Sequence, residues 1–467
     1  MEIQASYPVR LRQVRDEKAL YLKQTCRIYN QVISLLVPII DKHWDEINQY
    51  KALHPDDPHA RRTCVDHLTH KTKTGPKPKY DTLDKDYPKY PAYYRRAAIT
   101  EAIGIVSSHK TRYQNWVATG QHGKPPRLPH MYKHQNPCLY IKHVFKWEPV
   151  YSTTVLIKVY TGKDWVWREY RADYSDIRYI KTHLQKMTRQ APTLMRRGTR
   201  WELRFGFTQD VDLTETPEHE RRICAVDLGV NTAATCVIME PDGTVLARKF
   251  IKLASEEDQI RHHLGRIRKA QSHGSKHLKP KWALVNRLNT DLSRKTAAGI
   301  IDFAVEWSVE TVVFEFLEFS GRVRGSRAHR LCVWRKREVQ RIVMGQAHRW
   351  GMRVSRVCAW GTSRLAFDGS GRVRRGCDVS RAGHQSYGWV EFSSGKLYSA
   401  DLNAAYNIGA RFFVRAFSKA IPEKVWSSVS ADVPGLKRRS SATLASLWGL
   451  HMKLSSVDAG AVAPGAR

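Results

Sequence analysis

The chain has 467 residues, and its 78 lysines and arginines against 44 aspartates and glutamates leave a formal charge of +34. With 42% hydrophobic residues it can bury packed cores, and at roughly 150 residues per domain its length suggests about three domains. So large a positive excess needs an anionic partner, which sets aside most small-molecule enzymes and points to a polyphosphate, nucleic acid first.

The longest apolar run, 32–40, is broken by Ser34 and Pro38 and falls well short of the ~20 residues of a membrane span. The first residues carry no apolar stretch behind a basic flank, so no secretory leader is expected. Eight cysteines stand at 26, 64, 138, 224, 236, 332, 358 and 377, never as a close pair. That spacing predicts reduced thiols and a cytoplasmic setting rather than a disulfide framework.

In chain order, loose alternation over 3–11 predicts a first strand. Helical spacing follows over 16–50, carried by Leu20, Leu22, Ile28, Val32, Leu35 and Leu36. A basic loop spans 70–79, with Lys71, Lys73, Lys77 and Lys79, and a second helical segment covers 93–117 before a Gly/Pro stretch ends it. From 139 to 207 aromatic and β-branched residues lie between turn signals, so we expect a β-barrel-like domain opened by 1–15, interrupted by a helical insertion at 16–137, and closed by 138–215.

Residues 222–253 predict a hairpin and a third strand, then one long helical region over 256–309 and a buried strand over 311–316. A basic helix over 331–350, a strand over 352–358, a Gly/Ser-rich segment over 359–396 with a small hairpin, and a helix over 401–416 complete the pattern. The fold class expected is α+β and multidomain.

Three acids stand out by context. Asp227 ends the apolar run Cys224-Ala225-Val226 and precedes Leu228-Gly229; Glu315 sits inside Val312-Val313-Phe314-Glu315-Phe316; Asp401 opens Asp401-Leu402-Asn403-Ala404-Ala405-Tyr406-Asn407. Each has an ordinary reading: Asp227 as a turn residue, Glu315 as a core ion-pair partner, Asp401 as a helix N-cap. A carboxylate among apolar neighbours must find a partner or a cation, and three brought together from separate elements repel unless Mg²⁺ or Mn²⁺ lies between them. A pair of such ions activates water and stabilises the leaving oxygen in phosphodiester cleavage.

Together the segments Ala225-Val226-Asp227-Leu228-Gly229-Val230-Asn231, Val313-Phe314-Glu315 and Asp401-Leu402-Asn403-Ala404-Ala405-Tyr406-Asn407-Ile408 resemble the three split RuvC motifs of the TnpB transposon nucleases and the compact type V CRISPR effectors. The Arg266-Ile267-Arg268-Lys269 segment and the turn Gly123-Lys124-Pro125-Pro126-Arg127 resemble that family's basic helix and basic turn. The likeness implies an RNase H-like nuclease core split over 220–358 and 397–416, preceded by a wedge barrel (1–15 and 138–215) and a helical recognition insertion (16–137). It further implies a small target-nucleic-acid-binding insertion at 359–396, ahead of a C-terminal tail at 417–467. It implies Asp227, Glu315 and Asp401 as the catalytic, metal-binding acids, Mg²⁺ or Mn²⁺ and a guide RNA as cofactors, and double-stranded target DNA as partner, with one or two copies of the chain per guide.

The family often carries a zinc ribbon with two CxxC pairs before the last motif. Here only Cys358, Cys377 and His384 are available, so zinc is not expected. Tyr387, Trp389 and Phe392 are expected to hold the small hairpin instead.

Two basic surfaces are candidates for nucleic acid. Nine lysines and arginines against one acid lie between Ser320 and Arg349, among them Arg322, Arg324, Arg327, Arg330, Arg335 and Arg341. Tyr93, Tyr94, Arg95 and Arg96, with Lys110 and Arg112, mix rings and cations as single strands and hybrids require. Arg266, Arg268 and Lys269 extend the basic set. The expectation is an RNA-guided DNA endonuclease that reads a short flanking motif itself and leaves the rest to base pairing. The residues leave open an RNA-guided binder that represses without cutting, and an unguided RNase H-fold transposase or resolvase.

Overall fold

The computed structural model describes residues 1–72, 77–229, 232–316, 326–438 and 440–461. Its chain forms two compact units, 2–209 and 210–467. Among the described residues no helix is long and apolar enough to cross a membrane.

The N-terminal unit begins with β1 (Glu2–Arg12), then the helices α1 (Asp16–Lys42), α2 (Trp44–Leu53), α3 (Ala60–Thr69), α4 (Thr82–Asp86) and α5 (Ala92–Ala118). The strands β2 (Phe145–Lys146), β3 (Thr154–Tyr160) and β4 (Trp165–Ala172) follow, then α6 (Tyr174–His183), β5 (Thr188–Arg189), β6 (Thr193–Arg197) and β7 (Arg200–Asp210). They form one seven-stranded sheet in the order β2-β3-β4-β1-β7-β5, with β6 also on β7, so the first strand sits between strands made more than 150 residues later. The helices α1 to α5 and this sheet lie within one compact unit. Thr25 in α1 accepts a hydrogen bond from the Tyr160 amide at 2.9 Å, and the Tyr94 hydroxyl in α5 donates to the Lys158 carbonyl at 2.7 Å. Helices and sheet therefore share one core, which explains two units where length suggested three. The α6 helix replaces what the sequence reads as strand. The Asp173 carboxylate accepts from the Ser175 amide at 2.9 Å and caps it, while Arg10 and Arg12 pair with the same group.

In the C-terminal unit, β8 (Ile223–Asp227), β9 (Ala234–Met239) and β10 (Val245–Ile251) form an antiparallel meander. The helices α7 (Ala254–Ser272) and α8 (Lys279–Glu306) follow, then β11 (Thr311–Phe316), α9 (Arg327–Arg349) and β12 (Arg353–Cys358). The single helix expected over 256–309 is thus two. Gly274, at φ 73°, turns the chain in a conformation that favours glycine, and Pro280 opens α8. The five strands take the order β10-β9-β8-β11-β12, with β11 parallel to both β8 and β12. A small three-stranded sheet, β13 (Arg374–Arg375), β14 (Trp389–Glu391) and β15 (Leu397–Ser399), precedes α10 (Ala400–Ala420). The chain then folds through α11 (Glu423–Asp432) and α12 (Leu444–Ala461).

Strand alternation sends side chains to two cores. Ile223, Ala225, Val237, Met239 and Val313 pack against α10 and α12, while Cys224, Val226, Ile238, Val312 and Phe314 pack against α8 and α9. Helix α10 is buried on nearly every side. Its Gly409 lets it approach β8 and β9, since an added Cβ would stand 2.8 Å from the Met239 sulfur and 3.3 Å from the Ala225 methyl.

A polar ladder at four-residue intervals fixes α10. Asn403 bonds the Phe367 amide and the Leu365 carbonyl, each at 2.9 Å. Asn407 donates to the carbonyls of Thr362 (2.9 Å) and Leu365 (2.8 Å). Arg411 donates to those of Cys358 and Trp360 at 2.8 Å and also to Ser440 and Ala442, while Arg415 donates to Arg356 O (2.8 Å) and Ser355 Oγ (2.6 Å). Arg411 is only 3% exposed. Replacing it by Met leaves four carbonyls without their donor. Arg411→Met is expected to lower unfolding free energy by about 3 kcal/mol, measured by urea denaturation; a loss under about 1 kcal/mol would show that the carbonyls find other partners.

Candidate active site

The register of β8 and β11 carries the site. Ile223 pairs with Thr311 and Val226 with Phe314, so Asp227 and Glu315 occupy the next step of the same parallel ladder. Strands so paired lie about 4.8 Å apart, and residues in one row share a face. Ile223, Ala225 and Val313, two and four residues earlier, pack on α10, so both carboxylates belong to the α10 side, at the carboxyl ends of their strands.

Asp401 lies in the first turn of α10. It is not the N-cap: Ser399 takes that place, accepting from the Leu402 amide at 3.4 Å. The Asp401 carboxylate is therefore not spent on capping, and the helix end lends it a favourable field.

The three acids share one electrostatic environment. Burial first, then Glu315 and also Asp401, push the Asp227 carboxyl up to about 8, against the opposing pull of Lys336 and Arg375. Asp227 thus keeps its proton near neutrality when no other cation relieves the repulsion. Among the described residues no group of three or more His, Cys, Asp or Glu side chains gathers closely enough to hold a metal. The donor chemistry nonetheless suits a hard divalent cation: carboxylate oxygens on one face, one retaining a proton in place of a cation.

Glu315 is held from behind. Its carboxylate accepts from the Thr362 hydroxyl, and its backbone carbonyl accepts from Gln340 at 3.0 Å. Thr362 is buried, and its own carbonyl is gripped by Asn407. Arg375 donates to the carbonyls of Ser363 (3.3 Å) and Tyr387 (3.1 Å), bringing a guanidinium into the field of Asp227. Sequence reading missed Thr362, Lys336 and Arg375. For Thr362 the available signal was the Asn403/Asn407 spacing, two amides one turn apart on a buried helix.

The structure sorts the basic candidates. Arg322 and Arg324 lie outside the described residues. Arg266, Arg268, Lys269 and Arg330 are exposed, and Arg327 lies 4.5 Å above the Trp282 ring. Arg335 is 9% exposed and pairs with Glu257 at 3.6 Å, so it serves the interior rather than a phosphate backbone. Arg341 is clamped by Glu338 at 2.8 and 2.6 Å. In the N-terminal unit Tyr94 is fully buried and is core, not a stacking platform. Tyr93 already stacks on His143, with Arg96 over its ring at 4.8 Å. Arg95 pairs with Asp66 at 3.0 Å and Lys110 with Asp41 at 2.8 Å, leaving Arg112 the exposed member of that set.

The small sheet is held differently from expectation. Phe392 is buried with Val390, Ala366 and Ala400, whereas Tyr387 is 77% and Trp389 39% exposed. Glu391 closes the segment, accepting from the Ser380 amide at 2.6 Å and hydroxyl at 2.5 Å, and these bonds lower its pKa. Cys358 and Cys377 are exposed, and His384 stands edge-on to Trp389.

The Aq_aa04 family model matches residues 5–161. No curated protein matches the chain. Among solved structures it is similar to a Cas12f1–sgRNA–target DNA complex, at 15% identity over 87% of this chain and 98% of the other, with a TM-score of 0.32. It is also similar to Alicyclobacillus acidoterrestris C2c1 with a single-guide RNA, at 10% identity over 85% and 69% of the two chains and a TM-score of 0.43. A third is a Cas12i–crRNA–dsDNA complex, at 10% identity over 96% and 70% and a TM-score of 0.35.

The Asp227 shift has a measurable sign. Between the ordinary aspartate range near 3.9 and about 8, only the folded chain still holds this proton, so its contribution to stability falls as pH rises. In divalent-free buffer, Asp227→Asn is expected to gain stability over the native chain progressively across that window, read by urea denaturation at several pH values. A constant difference would contradict the shift.

Proposed function

We propose that this chain is an RNA-guided DNA endonuclease that cuts phosphodiester bonds of guide-complementary DNA with a RuvC-type carboxylate site. The observation that carries the proposal is the row formed by Asp227 and Glu315 on adjacent parallel strands, facing the helix that opens with Asp401. Three acids within one electrostatic environment, in a chain of charge +34, are exceptions to its chemistry. A cation between them and a phosphate reconciles the two. The strand order, an antiparallel meander continued by two parallel strands, accords with an RNase H-like core.

Asp227, Glu315 and Asp401 would hold Mg²⁺ or Mn²⁺, which would supply an activated water and charge stabilisation at the leaving oxygen. Thr362 orients the Glu315 carboxylate, while Lys336 and Arg375 oppose the upward shift of Asp227 and would meet the scissile phosphate. The guided character rests on the three motif segments and their likeness to type V and TnpB nucleases. It requires a guide RNA bound before the target, with a short flanking motif read by the protein.

With guide loaded and Mg²⁺ present, the native chain is expected to cut a matched plasmid. Asp227→Ala should bind that target equally and lose at least about a hundredfold in rate. Binding without cutting by both proteins would favour a guided repressor, and cutting without any co-purifying RNA would favour an unguided transposase or resolvase. Thr362→Val, which removes only the hydroxyl on Glu315, is expected to cost roughly tenfold in rate, as supporting groups behind a metal ligand do. Undiminished cutting by this variant would remove Thr362 from the site.

A further inference from the structure

Helices α8 and α9 leave a cavity of about 500 Å³ between them, in a part of the C-terminal unit the carboxylates do not use. Its lining follows two helical stripes: Trp282, Asn286 and Thr290 at four-residue steps on α8, and Arg327, Arg330 and Trp334 on α9. Such spacing keeps each set on one side of its helix. The helices are pinned beside the cavity by Asn289, 2% exposed, which donates to the Leu331 carbonyl at 3.2 Å. Beneath lies an apolar cluster that includes Ile260, Ile267, Leu278, Val285 and Leu292.

A groove between two helices is ordinarily filled by aliphatic side chains, yet this one carries two indoles and two guanidinium groups. Trp334 is 44% exposed, and the Arg327 guanidinium lies 4.5 Å above the Trp282 ring. No acid lines the cavity, and neither arginine has an acidic partner among the described residues. The Asn286 amide makes no side-chain hydrogen bond among them, and the Thr290 hydroxyl, which donates to the Asn286 carbonyl at 2.9 Å, keeps its acceptor capacity.

We propose that this cavity receives one unstacked nucleotide. A nucleobase has the flat face an indole stacks on, the polar edge that the Asn286 amide and Thr290 hydroxyl match, and a phosphate for Arg330 and Arg327. A simple anion would leave two indoles in water, and an apolar ligand would leave two guanidinium groups without a counter-charge. A nucleotide supplies a partner for the indoles, the guanidinium groups and the polar edge together. The proposal stands whether or not the carboxylates cut, and the nucleotide can belong to an RNA or a DNA strand.

The test uses the full chain in EDTA, where no metal-dependent cleavage occurs, with ten-residue RNA or DNA oligonucleotides bearing one 5-iodouracil. Photocrosslinked adducts are mapped by mass spectrometry. Adducts are expected on Trp282 or Trp334. Selectivity for RNA assigns the pocket to a guide-type strand, selectivity for DNA to a target-type strand, and equal yields to base and phosphate alone; each supports the pocket. Trp334→Ala, at an exposed position that does not hold the fold, should weaken oligonucleotide binding roughly tenfold, Arg330→Ala several-fold, and Trp334→Phe should restore most of the affinity. Adducts confined to other residues, or native affinity in Trp334→Ala and Arg330→Ala, would overturn the proposal.

Discussion

The ladder of Asn403, Asn407, Arg411 and Arg415 along α10 is the interaction on which the C-terminal unit depends. Each of these side chains satisfies backbone or hydroxyl groups of β12 or of the segment that follows it, from Ser355 to Phe367. Unpaired, those buried groups would cost more than the helix gains by approaching the sheet. Because they are paired, a wholly irregular segment can lie against the core and present Thr362 to Glu315. Burial also pulls the Arg411 pKa down, with Glu315 among the groups that oppose it, so the guanidinium that braces the loop feels the site it supports.

A second constraint is the parallel register. Two carboxylates in one row of adjacent strands are an unfavourable arrangement by themselves, and folding gains nothing from it. The cost appears in the raised pKa of Asp227. Surrounding structure over-determines the arrangement: β8 is the central strand, flanked on both sides, with tight apolar packing above and below.

The order and type of most elements in the C-terminal unit were legible because their signals are local: apolar runs closed by turn residues, and acids interrupting those runs. Asp227 and Glu315 were visible as charges where neighbours were apolar, and Asp401 as a helix-opening acid. What the sequence did not reveal is who partners whom. Tyr94 and Arg335 read as surface groups because their residue types favour nucleic acid, yet one fills a core and the other answers Glu257 across helices. Thr362 was invisible because its role depends on Asn407, 45 residues away. Of the hairpin aromatics Phe392 does fill the small core with Val390, but Tyr387 and Trp389 face outward, and Glu391 helps to close the segment.

The division of labour at the start of α10 separates two properties that protein sites often entangle. Ser399 caps the helix, and Asp401, two residues on, takes no part in the cap. A change of the Asp401 carboxylate to an amide alters one atom without touching the cap. Mutation can therefore erase the acid while the chain keeps its helix, its core and its basic surfaces. The acid at this position and the start of the helix can therefore change independently of each other.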